Sequence, residues 1–160
     1  MKITNLQITD VILSETLRNR FYNILIPVQI LVTTERHGQW LFSVKKGADT
    51  DGRSGGVLVD PLFPNWGTQE ERADVLIHDI LFHDFRDIYP ELTFEFANEM
   101  LEALVIYQGR SEFVAGLIRL GVSSPIGRRA FGHNTPAEDR NKRLFTVTRM
   151  DFSANKNRLA

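Results

Sequence analysis

Hydrophobic positions follow two regimes along this chain. Up to about residue 60 they come in short alternating or continuous runs; from residue 68 they recur every three or four positions. Residues 21–34 are rich in Ile, Leu, Val, Phe and Tyr, and 39–44 continue that character, which predicts two strands. Between them Glu35-Arg36-His37-Gly38 has the polarity and the glycine of a hairpin loop. Pro27 interrupts the first run and marks an edge or a bulge, because proline has no N–H to give a ladder. Residues 3–13 add a further strand. Residues 46–56 carry four glycines, Gly47, Gly52, Gly55 and Gly56, and no long apolar run, and so read as a loop. A short strand at 56–59 leads into Pro61-Leu62-Phe63-Pro64-Asn65-Trp66-Gly67, an apolar connector punctuated by proline.

From Thr68 the period is helical. Thr68 followed by Glu71 is a capping-box pair, and Glu70 and Glu71 suit the positive end of a helix. This first helix is predicted to run to about residue 87, ahead of Pro90. A second, 93–108, stops at Gly109, and a third is opened by Ser111 and closed by Gly121. Ser124-Pro125 starts a short fourth that stops near Gly132. Strands first and helices afterwards make the class α+β: an N-terminal antiparallel β-region packed on a C-terminal bundle of three to four helices. Met100, Phe94, Phe96, Tyr107 and Phe113 fall at helical spacing and read as core. Trp40 reads as a packing residue, Trp66 as packing or as the wall of a cleft beside the loop.

The chain has 160 residues, 42% hydrophobic and 24% charged, with a formal net charge of −1. That is a globular composition, long enough for one core of ordinary size. With no cysteine, disulfide scaffolds, Fe–S clusters and thiolate-held zinc are excluded. The near-neutral charge argues against a protein that coats nucleic acid. No secretory leader is visible, and the longest apolar stretch, around 24–32, is broken by Pro27 and Gln29, far below the ~20 residues that span a bilayer. A soluble cytoplasmic product with neither nucleic-acid nor membrane partners is therefore expected. Charge is nevertheless uneven: residues 68–102 hold ten acids and two arginines, whereas 133–160 hold six bases and three acids. This divides the chain into an α+β domain, 1–132, and a basic C-terminal arm, 133–160. The arm's strand-like run at 144–147 has three placements open to it: the sheet, the acidic helices, or a neighbouring subunit.

The first helix is apolar nearly all round yet carries His78-Asp79 at its centre, with Asp74 one turn earlier and His83 and Arg86 following Asp79 on one stripe. Buried polar groups need partners. The polar loop Thr50-Asp51-Gly52-Arg53-Ser54 is the natural one. Three chemistries follow. His78, Asp79 and Asp51 form an imidazole-plus-carboxylate set that divalent metals accept. His78, oriented by an aspartate, can activate Ser54 or a water. Or the cluster ties down the loop and catalyses nothing. His37, in the hairpin, and His133 read as exposed; Arg128-Arg129 read as partners of a helix C-terminus. No phosphate-binding glycine motif is present.

Several of these elements, in order, resemble a phage- and prophage-associated family of unknown function. They are Thr50-Asp51-Gly52-Arg53-Ser54, the connector 61–67, His78-Asp79-Ile80-Leu81-Phe82, Ala97-Asn98-Glu99-Met100-Leu101, Leu120-Gly121-Val122 and Phe131-Gly132. The resemblance covers about residues 40–132. The family usually has Asp at the position of Asn98, Tyr at that of Phe82, and Val-Pro-x-Gly-Phe where Lys46-Gly47-Ala48 stands. The resemblance implies a phage gene product and carries no established activity.

Three functions are weighed. The first is a virion-associated structural or assembly component, made in the host cytoplasm and taken into the particle. It would contact other phage structural proteins or its own copies through 133–160, with no cofactor. The second is a small hydrolase on peptide or cell-wall substrates using His78, Asp79, Asp51 and Ser54, with or without a divalent metal. The third is a host-takeover or anti-defence binding protein whose acidic stretch imitates nucleic acid. The first is favoured, and with it a chain that is not an enzyme.

Overall fold

A computed structural model describes residues 1–13, 22–50, 68–132 and 142–150. Its core is a four-stranded antiparallel sheet of β1 (Ile3–Ile8), β3 (Val28–Thr34), β4 (Gly38–Val44) and β6 (Phe145–Met150), in the order β1-β3-β4-β6. Two-residue strands β2 (Tyr22–Asn23) and β5 (Asp49–Thr50) pair as a separate ribbon. The helices are α1 (Gln69–Phe82), α2 (Phe94–Tyr107), α3 (Glu112–Val122) and α4 (Pro125–Ala130). The class is α+β, an N-terminal antiparallel sheet followed by four helices.

Alternation along the strands sets which face is buried. Val28, Ile30, Val32 and Thr34 of β3 and Trp40, Phe42 and Val44 of β4 all point inward. Cross-strand pairing continues that face in rows: Ile30 opposes Phe42, which opposes Val147, and Val28 opposes Val44, which opposes Phe145. Ala73, Leu76, Ile77 and Ile80 of α1 and Ala97, Met100 and Leu104 of α2 close over it. Pro27 ends the run 21–34 as an uninterrupted strand. The residues before it pair in the small ribbon and those after it form β3, since a central strand has no place for a residue without an N–H.

β6 fixes the placement of the arm's strand. Phe145–Met150 pairs with β4 along its length, Lys45 N–H donates to Leu144 O at 2.9 Å, and Arg149 N–H meets the Tyr89 hydroxyl. Residues 145–150 are thus a strand of the domain's own sheet, and the boundary drawn at 132 does not separate them from it. Residues 133–141 and 151–160 lie outside the described residues.

The helix limits follow local chemistry. Thr68 and Glu71 make the reciprocal capping box; Thr93, Ser111 and Ser124 cap the next three helices, and Pro125 occupies the first turn of α4. α1 stops at Phe82, five residues before the predicted end. Asp84 takes a left-handed backbone (φ 56°) and its carboxylate turns back to accept from the Arg86 backbone and guanidinium. Gly132 (φ 72°) sits against this turn: an added Cβ would meet the Asp84 carboxylate at 3.0 Å, and its N–H donates to Phe82 O.

One expectation about the surface fails. Tyr107 and Phe113, read as core, are exposed at 45% and 75%. α3 buries Ala115, Ile118 and Val122 against Leu101 and Val105 of α2, with Val114 partly buried beside them, and leaves Phe113, Leu117 and Leu120 facing outward. The acidic stretch is largely neutralised. Glu71 pairs with Arg110, Glu91 with Arg149, Glu95 with Arg128, Glu99 and Glu102 with Arg119, and Asp84 with Arg86. Among the described residues no helix is long and apolar enough to cross a membrane.

Candidate functional site

The site grows from the α1–α2 contact. α1 packs on the sheet beside α2, and beyond Glu70 none of its residues is exposed. His78 therefore points into protein and is 4% exposed. Its Nε2 lies 3.1 Å from Asn98 Oδ1 on α2. Facing a carbonyl oxygen, Nε2 carries the proton and donates it, and the ring packs on Phe82 with centroids 4.2 Å apart. Enclosure removes the water that a cation would need. Burial holds the imidazole's pKa down at about 4, against the smaller opposing effect of the Asn98 bond, and the ring is neutral at physiological pH.

Asp74, one turn earlier, does not pair with His78. It is fully buried and accepts from Gln108 Nε2 at the C-cap of α2, while its Oδ1 has no hydrogen-bond partner among the described residues. Burial pushes its carboxyl well above the usual range. The Gln108 bond pulls the other way, and nearby Glu71 and Glu70 add to the rise. His78–Asn98 and Asp74–Gln108 are thus two polar links between antiparallel helices. An unmet buried donor or acceptor costs about 1–3 kcal/mol.

Asp79 lies on another face, partly exposed, and its Oδ2 accepts from the Thr50 hydroxyl. The ribbon delivers Thr50 there: Tyr22 opposes Thr50, Ile24 and Ala48 exchange a backbone bond of 2.8 Å, and Asn23 Nδ2 donates to Asp49 Oδ1 at 2.9 Å. The start of the glycine-rich loop does meet the His-Asp helix, as expected. Asp51 and Ser54 lie outside the described residues, as do Trp66 and His133.

His78 and Asp79 are adjacent in sequence and do not converge, because neighbouring helix positions diverge by about 100°. His78 turns to Asn98 and Asp79 to Thr50. The stripe Asp79–His83–Arg86 is not formed either. α1 ends at Phe82, His83 becomes its C-cap with its ring 5.0 Å from Phe145, and Arg86 pairs with Asp84. Among the described residues no three His, Cys, Asp or Glu side chains form a group able to hold a metal ion. His37, expected to be exposed, rests edge-on against Phe96 at 5.4 Å, and Trp40 is fully buried between Tyr89 and Phe96.

Residues that reasoning from the sequence left outside the cluster are Asn98 and Gln108 as its α2 partners, and Thr50 as the hydroxyl on Asp79. Asn98 carried a signal: it is a polar residue at the middle of the apolar run Phe94-Glu95-Phe96-Ala97-Asn98-Glu99-Met100-Leu101. Gln108, the last residue before Gly109, carried none. Comparison of the chain with protein-family models, with curated proteins and with solved structures gave no match.

Proposed function

We propose that the chain is a structural or assembly component of a bacteriophage particle, made in the host cytoplasm and incorporated into the virion. The observation that carries the reading is the enclosure of His78. Its acidic proton is engaged by Asn98, its ring is walled by Phe82, and burial keeps it neutral. A general base must reach the proton it abstracts. A ring set between two helices serves their packing, and the chain then acts through its surface, on other particle proteins or on its own copies. The sequence resemblance supports the phage assignment. The imitation of nucleic acid loses support, because most of the acidic stretch is paired with arginine.

Mass spectrometry of particles purified on a density gradient tests this. The protein is expected at a fixed ratio to the other particle proteins, and its absence from purified particles would overturn the reading.

One observation favours the second reading, a small hydrolase. Thr50 binds the partly exposed Asp79 and so brings the chain leading to Asp51 and Ser54 to the helix. In that case Asp79 and Asp51 would hold a divalent metal. Elemental analysis of protein purified without chelator decides it: a stoichiometric metal lost in Asp79→Asn supports the hydrolase, and none removes this form of it.

A further inference from the structure

α3 is Glu-Phe-Val-Ala-Gly-Leu-Ile-Arg-Leu-Gly-Val, with two charged residues in eleven. A helix that is apolar all round belongs in an interior. Only one of its faces has one, through Ala115, Ile118 and Val122 on α2. The opposite stripe is Phe113, Gly116, Leu117 and Leu120, and the three large side chains are 75%, 39% and 72% exposed. Ile126, on the helix that follows, is 80% exposed. Contiguous apolar exposure of this kind marks an interaction surface.

We infer that this stripe pairs with the same stripe of a second copy, antiparallel, about a twofold axis between Gly116 and Leu117. In that register Phe113 of each copy lies against the partner's Leu120, and Leu117 lies over the partner's Gly116. An added Cβ on Gly116 would have nothing within 4 Å, so the surface there is open and gives room to a leucine. Every large residue of the stripe gains an apolar neighbour, the self-complementarity that a twofold interface requires.

Charge selects the antiparallel second copy. Glu112 opens α3 at one end of the stripe and Arg129 follows the other end in the chain, on α4; neither makes an ion pair among the described residues. The neighbouring cations are taken: Arg110 by Glu71, Arg119 by Glu99 and Glu102, Arg128 by Glu95. An acidic end and a basic end complement their own copy only when the helices run in opposite directions; a parallel pair sets like charges together. Antiparallel helix dipoles act in the same sense.

This deepens the assembly reading by naming the partner, and it rests on that reading only in taking the chain to act through its surface. The test is the mass of the full chain in solution by sedimentation equilibrium, with Leu120→Glu as the variant. The wild type is expected to be a dimer, and the variant a monomer with an unchanged far-ultraviolet circular dichroism spectrum. A second measurement does not depend on weakening the interface. The chain has no cysteine, so single-cysteine variants report proximity directly. Gly116→Cys should cross-link to a covalent dimer on mild oxidation, whereas Phe113→Cys and the remote Asp87→Cys should not. A wild type that stays monomeric at its highest soluble concentration overturns the inference. So does a dimer in which Phe113→Cys cross-links as readily as Gly116→Cys, since that is a parallel pair. A monomeric chain found in particles would remove the self-pairing and leave the assembly reading; a dimer absent from particles would do the reverse.

Discussion

α1 and α3 are both apolar around most of their circumference, and the fold treats them in opposite ways. α1 is buried against the sheet and α2, so its polar residues His78 and Asp74 are sealed in and find partners there. α3 is covered on one side only, and its unpartnered residues are apolar ones left outside. The same compositional signal therefore has two meanings. Inside, the exception that needs explaining is a histidine or an aspartate; outside, it is a phenylalanine or a leucine.

The largest test of this contrast removes the cover from α1. Ending the chain after Gly132 deletes β6, with Phe145 and Val147 from the core and the wall against His83. Burying one such side chain contributes about 1.5–3 kcal/mol, and marginal domains hold only about 5–15 in total. The truncated chain is expected to lose cooperative thermal unfolding by circular dichroism. A folded product would mean that β6 is dispensable.

Acid acts on the interior of α1 next. The His78 pKa in the folded protein lies below its unfolded value, so between about pH 6.5 and 4 the unfolded chain binds more protons and stability falls as pH is lowered. The loss attributable to this ring is on the order of 3 kcal/mol, read from urea unfolding across that window, and should be absent in His78→Leu. Asp74 works with the opposite sign. Its raised carboxyl favours folding when protonated, a contribution present below the unfolded value and lost as pH rises through the folded one. Asp74→Asn should therefore be more stable than the wild type at neutral pH, with the gain vanishing in acid.

Breaking one polar link is smaller. Asn98→Ala leaves the His78 N–H buried without an acceptor and should cost about 1–3 kcal/mol in urea unfolding, whereas replacing both residues by leucine should cost less than either single change. The smallest effect is expected on α3. Glu102→Ala removes a 2.7 Å ion pair to Arg119 at a partly exposed site and should change stability by about 1 kcal/mol or less.

How far these features could be read from the sequence depended on whether their causes were local. Caps Thr68, Ser111 and Ser124, the hairpin at 35–38, Gly109 as a stop and the α+β order were all legible, because each is set by residues close in sequence. The end of α1 was not, since it is set by Asp84 turning onto Arg86 and by Gly132, two residues past the end of α4. The place of β6 was left open because a basic segment with one apolar run fits a sheet edge or a free arm equally. In the site, burial of His78 was foreseeable from an apolar helix. Its partner was not, because nothing short of the fold brings residue 98 to residue 78. Phe113, on the outward stripe of α3, was read as core because helical spacing reports that a face is apolar and not whether anything covers it.

The corner at the end of α1 has a consequence for protein engineering. Gly132 N–H donates to Phe82 O, and Lys142 Nζ donates to Asp84 O while lying over the Phe85 ring. The chain thus leaves this corner at residue 132 and is held at it again at residue 142. These two contacts fasten residues far apart in sequence to the same turn. Gly132 and Lys142 are therefore the two positions to leave unchanged when the chain is re-engineered near this corner.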